Sequence, residues 1–130
     1  MATVAESITA KKRALVIDDD STVVEHVSAA LRRAGYEVES AEDGLTALAI
    51  YRASRFDAVV CDVRMPKLSG ISFIKNLRLT ATADCRVVML SSSDDRNLKR
   101  EALEAGAVAY LVKPASSQAI IEAVSGRAAK

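Results

Sequence analysis

The chain has 130 residues, half of them hydrophobic but only 4% aromatic, which suits one compact domain with a mainly aliphatic core. Its 18 basic and 17 acidic residues leave a formal charge of +1, which argues against a chain whose main work is coating nucleic acid or anionic membrane. No stretch approaches the roughly 18 apolar residues of a membrane helix, and Cys61 and Cys85 fit no metal or disulfide spacing, so the expected setting is a reducing cytoplasm.

Residues 1–10 read as a flexible N-terminal extension and 11–130 as one domain, with the basic "KKR" at 11–13 as a solvated entry. "RALVID" (13–18) is the first of five short apolar runs. A helical pattern over 21–34 follows, carried by Val24, Val27, Leu31 and Ala34, with Gly35 as its stop. His26 falls on the polar side of that helix, and with no second histidine in the chain it reads as solvated. "YEVES" (36–40) alternates apolar with polar, as a strand at a sheet edge does. In 44–53, Leu45, Leu48 and Ala49 share a face. "DAVVCD" (57–62) is the third strand, and Ile71, Ile74 and Leu77 mark a helix over 70–79 whose stripe Phe73 widens. "RVVMLS" (86–91) is the fourth strand. Leu98, Ala102 and Ala105 then line up ahead of Gly106, with Asp94 as the expected cap. "AVAYLV" (107–112) is the fifth strand, and Ile120, Ala123 and Val124 mark a last helix capped by Ser116 or Ser117. "SGRAAK" (125–130) reads as a fraying end.

Strand followed by helix, five times over, predicts a parallel sheet with helices on both faces and right-handed crossovers. Except for the edge run, these strands read as buried on both faces. In such sheets ligands bind beyond the carboxyl ends of the strands. Polar residues stand at those ends: Asp18, Asp19 and Asp20 after the first strand, Asp62 at the third, Ser91 at the fourth and Lys113 after the fifth. Carboxylates without histidine or cysteine partners favour a hard cation such as Mg²⁺. A lysine and a hydroxyl opposite such an ion suit a phosphoryl group. Asp62, alone at the centre, is then either a third ligand or a nucleophile.

Four motifs now carry a resemblance: "VIDD" after the first strand, "CDVRMPKLSG" around the third, "VVMLSS" at the fourth and "YLVKP" at the fifth. In this order and spacing the chain resembles the receiver domain of bacterial two-component response regulators over roughly residues 12–125. The resemblance implies a doubly wound (βα)5 fold with the flavodoxin-like strand order 2-1-3-4-5. It implies that Asp62 accepts the phosphoryl group, followed by a Met65-Pro66 turn and Gly70. Asp19 would bind Mg²⁺ directly, Asp18 through water, with Asp62 and the backbone carbonyl of Arg64 also at the metal. Ser91 and Lys113 would contact the phosphoryl oxygens, the Lys113-Pro114 bond would be cis, and Tyr110 would change rotamer with Ser91 on activation. Asp20 matches a variable position and reads as local charge or a helix cap. The implied partners are a histidine kinase or phosphotransfer protein and a downstream protein that meets the face of the fourth helix, fifth strand and fifth helix. No direct nucleic-acid contact, no membrane insertion and no separate enzymatic role are implied. Three features depart from the family's common pattern or flank its pocket: Ser91 stands for the commoner threonine, Ala115 for a frequent phenylalanine, and Arg64 and Ser93 flank the acceptor.

Two other readings compete. "DDDST" also has the Asp18-x-Asp20-x-Thr22 spacing of haloacid-dehalogenase-like phosphohydrolases, with Asp18 as nucleophile and Asp20 as acid/base. That reading lacks the acidic pair expected after the lysine and leaves Asp62 unexplained. The other is a binding module that keeps the fold but works without phosphorylation, against which the intact acidic, hydroxyl and lysine set counts.

Overall fold

The computed structural model describes residues 11–65, 67–79 and 85–126; the expected extension at 1–10, Pro66 of the expected turn, and residues 127–130 lie outside them. Ten elements alternate along the described residues: β1 (Arg13–Ile17), α1 (Ser21–Arg33), β2 (Glu37–Ala41), α2 (Gly44–Ala53), β3 (Ala58–Cys61), α3 (Gly70–Leu79), β4 (Arg86–Ser91), α4 (Arg96–Ala105), β5 (Ala109–Val112) and α5 (Ser117–Ser125). The five strands pair in parallel in the order β2-β1-β3-β4-β5, as the resemblance implied.

Alternation along the strands splits the core in two. Leu15, Ile17, Val59, Cys61, Val87 and Met89 face α2, α3 and α4, packing with Leu48, Tyr51, Phe73, Ile74 and Ala102. Ala14, Val16, Ala58, Val60, Val88 and Leu90 face α1 and α5, packing with Val27, Leu31, Ile120 and Val124. Such strands must be apolar at every position because both sides are covered, which is why their sequences show no period of two.

β2 lies at one edge with only Ala41 buried, as its alternation predicted. β5 departs from the expectation of a fully buried strand. It is the opposite edge, paired with β4 alone among the described residues, and Val112 is 43% exposed. The face assigned to α2 is also corrected. Leu45 is 53% exposed and Ala49 is exposed, while Gly44, Ala47, Leu48 and Tyr51 turn inward. These positions are the i, i+3, i+4, i+7 stripe of one helix face, anchored by an aromatic at its far end. Tyr51 packs there between Phe56, at 6.1 Å between ring centroids, and Phe73, edge-on at 6.4 Å. Ala34 likewise lies outside the buried stripe of α1, at its exposed C-cap, and Gly35 follows with a φ of 99° that suits glycine.

Capping shows which loops are fixed. Asp20 accepts from Thr22 N at 2.9 Å and so starts α1, settling its role as a helix cap. Asp43 caps α2 through Thr46 N at 2.8 Å, and that donor first of all holds its carboxyl below the ordinary value. α4 is capped by Asp95, not Asp94: the Asp95 carboxylate accepts from Asn97 N and Leu98 N, one residue later than the sequence suggested. Ser116 caps α5 through Ala119 N. "KKR" is more than a solvated entry at its last residue. Arg13 lies over the Phe56 ring, 4.8 Å from its centroid, and pairs with Glu39 on β2. Among the described residues, no helix is long and apolar enough to cross a membrane.

Candidate functional site

Register decides which side chains meet. Ile17 pairs with Cys61 across β1 and β3, Cys61 with Met89, and Ser91 with Val112. The next residues therefore emerge together at the carboxyl rim, where Asp18 N donates to Ala41 O, Asp62 N to Ile17 O and Lys113 N to Ser91 O. Asp18, Asp62 and Lys113 are thus each tied by their own backbone N–H to a neighbouring strand.

Lys113 is the centre of charge. Its Nζ stands 2.7 Å from Asp18 Oδ2 and 3.4 Å from Asp62 Oδ2. Asp18 is 2% exposed and Asp62 8%. Burial first, and then the charge of Asp18, push the Asp62 carboxyl above its ordinary value, against the pull of Lys113. Desolvation alone would weaken the Lys113 ammonium's hold on its proton, but the two aspartates outweigh it and its pKa is raised.

The carboxylates also fit a divalent cation. Asp18, Asp19 and Asp62 each offer an oxygen within 4.8 Å of the others'. Asp18 Oδ1 accepts from Asp20 N at 2.9 Å, whereas buried Oδ2 has the ion pair but no hydrogen bond of good geometry. Asp19 is exposed, so one ligand faces solvent and the entry path is open. An all-oxygen set of this kind suits Mg²⁺. Nearby Cys61 adds no soft ligand, because its fully buried thiol is pushed well above its ordinary pKa, chiefly by desolvation. Cys85 is held up to about 11 by the same cause and is equally inert. An acidic cleft of about 730 Å³ opens beside Asp18 and Asp19 toward Glu42 and Asp43, and Asp62, Ser91 and Lys113 do not line it.

Ser91 is 2% exposed, and its Oγ accepts from Ser93 N at 3.1 Å. Tyr110, 8% exposed, donates from its hydroxyl to Ser93 O at 2.7 Å. The backbone of Ser93 therefore joins the two residues expected to move together. The sequence showed Ser93 only as a flanking side chain, because contacts made by main-chain N–H and C=O leave no residue-type signal. Arg64 is exposed, and its N–H points to Asp62 Oδ1 at 3.4 Å. Lys113-Pro114 is cis, as the resemblance implied. His26 corrects the reading of a purely solvated ring: its Nε2 lies 2.9 Å from Ala115 O, across 89 residues of sequence.

The raised pKa of Asp62 carries a stability consequence. Its folded value lies above the ordinary 3.8, so the native state takes up this proton before the unfolded chain does. Without a cation, the ionised carboxylate destabilises the fold at neutral pH. The penalty is relieved as pH falls through the raised value, and fully so below the unfolded one. Asp62→Asn is therefore expected to raise the cation-free Tm at pH 7 by about 3 °C, with the gain vanishing near pH 3.5. Paired thermal melts at both pH values check this, and a lower Tm for the variant at pH 7 would refute it.

Comparison with known proteins agrees with the geometry. The family described as "Response regulator receiver domain" matches residues 14–125. The response regulator MprA of Mycobacterium sp. (strain KMS) is 42% identical over 102 residues, covering 78% of this chain and 44% of the relative. The transcriptional regulatory protein PrrA of Mycobacterium tuberculosis is 43% identical over 102 residues, covering 78% of this chain and 43% of PrrA. The chain thus spans less than half the length of these curated relatives. Among solved structures, the chemotaxis response regulator CheY4 of Vibrio cholerae superposes with a TM-score of 0.83 at 33% identity, covering 90% of this chain and 98% of that one. A response regulator protein from Burkholderia pseudomallei, solved with a phosphorylated aspartic acid and a calcium ion, has a TM-score of 0.80 at 31% identity, covering 87% of this chain and 66% of that one. The chain belongs to the response regulator receiver domain family.

Proposed function

We propose that Asp62 accepts a phosphoryl group from a phosphohistidine of a kinase or phosphotransfer protein, and that the product changes the surface formed by α4, β5 and α5. The observation that carries this reading is the Lys113 ammonium, 2.7 Å from Asp18 and 3.4 Å from Asp62. It neutralises the resting carboxylates and stands ready for the three oxygens of an incoming phosphoryl group. The phosphorylated aspartic acid and calcium ion of the Burkholderia pseudomallei relative support the same assignment.

In the transfer, a carboxylate oxygen of Asp62 forms a bond to phosphorus as the phosphorus–nitrogen bond of the donor imidazole breaks, and the imidazole regains a proton from solvent. Asp18, Asp19, Asp62 and the Arg64 carbonyl would hold Mg²⁺, which supplies positive charge to the transferring oxygens. Ser91 donates its hydroxyl hydrogen to one of those oxygens, and Lys113 pairs with another. A phosphoryl group adds close to two negative charges at neutral pH. Movement of Ser91 toward it disturbs the Ser93 backbone that Tyr110 also holds, and so reaches α4.

That face is suited to change. Ala102 is the one buried residue of α4, and Leu103, Val108 and Val112 are each at least 40% exposed. Arg96, Lys99 and Arg100 add positive charge beside Leu103. We read it as a surface for protein contact, in a cytoplasmic setting that suits two free buried thiols. The names of the mycobacterial relatives describe whole proteins more than twice as long as the matched part, and DNA contact is not proposed for these residues. Nothing in the geometry favours the phosphohydrolase reading: Asp20, its acid/base, is exposed and spent on capping α1.

Intact-mass measurement after incubation with Mg²⁺ and acetyl phosphate tests the proposal. Wild type is expected to gain one phosphoryl group, Asp62→Asn none, and Asp18→Asn less through weakened cation binding. No adduct on wild type under conditions where Mg²⁺ binds would sink it and leave the phosphorylation-independent module.

A further inference from the structure

α1 starts beside the phosphoryl site and packs along the loop that leaves it. Its N-cap, Asp20, directly follows Asp18 and Asp19, and its outer face holds the loop beyond Lys113. His26 Nε2 lies 2.9 Å from Ala115 O, and Arg33 Nη2 donates to Ser117 Oγ at 3.2 Å. Seven residues separate the two, so they share one face of α1 about 10 Å apart along its axis. A carbonyl can only accept, so Nε2 carries the proton in this bond.

The loop held in this way contains the cis Lys113-Pro114 bond and runs into the Ser116 cap of α5. On one side Lys113 N donates to Ser91 O at 2.8 Å. On the other, Ala115 contributes only a methyl group to the core beneath α1 and α5. A lysine side chain is a flexible four-carbon stem. The position of its backbone sets the region that the ammonium can reach.

We propose that His26 is a positioning residue for the phosphoryl site: by holding Ala115 O it sets the loop that places the Lys113 ammonium between Asp18 and Asp62. The role rests on the phosphoryl-acceptor reading given above, and His26 itself touches neither phosphoryl group nor cation. Because Lys113 acts on developing charge, loosening it lowers the rate of transfer at saturating donor and leaves the donor's KM in place.

The test compares wild type, His26→Ala, His26→Gln and Arg33→Ala. A glutamine amide N–H reaches about as far as Nε2 and can donate to the same carbonyl. Arg33→Ala cuts the same seam at the end away from Lys113, so it reports general loosening of α1 against α5. With Mg²⁺ and acetyl phosphate, His26→Ala is expected to slow phosphorylation about three- to tenfold. His26→Gln should restore the rate, and Arg33→Ala should lower Tm without changing it. In the protein without donor, the NMR signals of the Lys113 side-chain methylenes should move in His26→Ala and stay in place in the other two. A wild-type rate with unmoved Lys113 signals in His26→Ala would overturn the proposal, as would failure of glutamine to restore them. If wild type takes no phosphoryl group at all, the acceptor reading fails, and the Lys113 signals alone decide whether His26 sets the ammonium.

Discussion

Gly70→Ala is expected to lower Tm by about 10 °C and to slow phosphorylation of the folded protein at least tenfold, measured well below its melting point. A Cβ on Gly70 would stand 2.2 Å from Asp62 O, 3.0 Å from Asp62 C and 2.7 Å from Met89 Cε. The methionine end can swing away, but the Asp62 backbone cannot. Its N–H is fixed to Ile17 O at 2.9 Å, and Gly70 N is itself tied to Val63 O at 2.8 Å. Relief must come from moving α3, whose Ile71, Phe73, Ile74 and Leu77 are packed in the core, or from moving the acceptor. Overpacking of this kind costs about 3 kcal/mol. Gly70 has no positive φ, so the demand is for space alone. Circular-dichroism melts and a phosphorylation time course check both parts. A variant within a degree or two of wild type, with normal phosphorylation, would show that α3 can retreat from Asp62.

Lys113→Met, which keeps length and removes charge, is expected to cost about 2–3 kcal/mol at pH 7 in the absence of divalent cation. It leaves Asp18 and Asp62 buried side by side with no counter-charge, and the lysine's partial exposure keeps the loss below that of a fully buried pair. The pH dependence follows from the raised pKa of Lys113. The stability that its ammonium contributes is fully present below the unfolded value of 10.5 and is lost as pH rises through the folded one. The variant's deficit should therefore hold from pH 7 to about 10 and close above that range. On the acid side it should shrink as Asp62, already raised, takes up its proton. The ammonium also competes with Mg²⁺ for the same oxygens, so the variant should bind Mg²⁺ more tightly while its phosphorylation falls about 100-fold. Urea titrations across pH, with Mg²⁺ titrations at pH 7, separate the effects. Weaker Mg²⁺ binding in Lys113→Met would mean that the lysine organises the carboxylates rather than competing for them.

Much of the site was legible because its residues stand at predictable places. A parallel strand covered on both faces is a short apolar run, and its end is marked by the first polar side chain. Asp18, Asp62 and Ser91 are such markers, and all three are buried at the rim. Lys113, just past the last strand, completes the cluster. Asp20 as a cap was legible for a different reason: a short polar side chain before an apolar period of 3.6 satisfies the free N–H groups of a helix start. The same rule slipped by one residue at Asp95, because "SDDR" offers two adjacent aspartates and local sequence alone does not choose between them.

The sequence by itself determined the order of elements, the parallel sheet, the acidic rim and the lysine that answers it. These follow from periodicity and residue type, which are local properties. Tertiary structure alone decided which faces of α2 and β5 are covered, since that depends on the neighbour each element meets. It also decided that Ser93 meets Ser91 and Tyr110 through its backbone, that Gly70 has no room for a methyl group, and that His26 reaches Ala115 from 89 residues away. These are contacts between main-chain atoms and distant elements. A main-chain N–H or C=O is the same in every residue, so only the folded path of the chain shows which one is met.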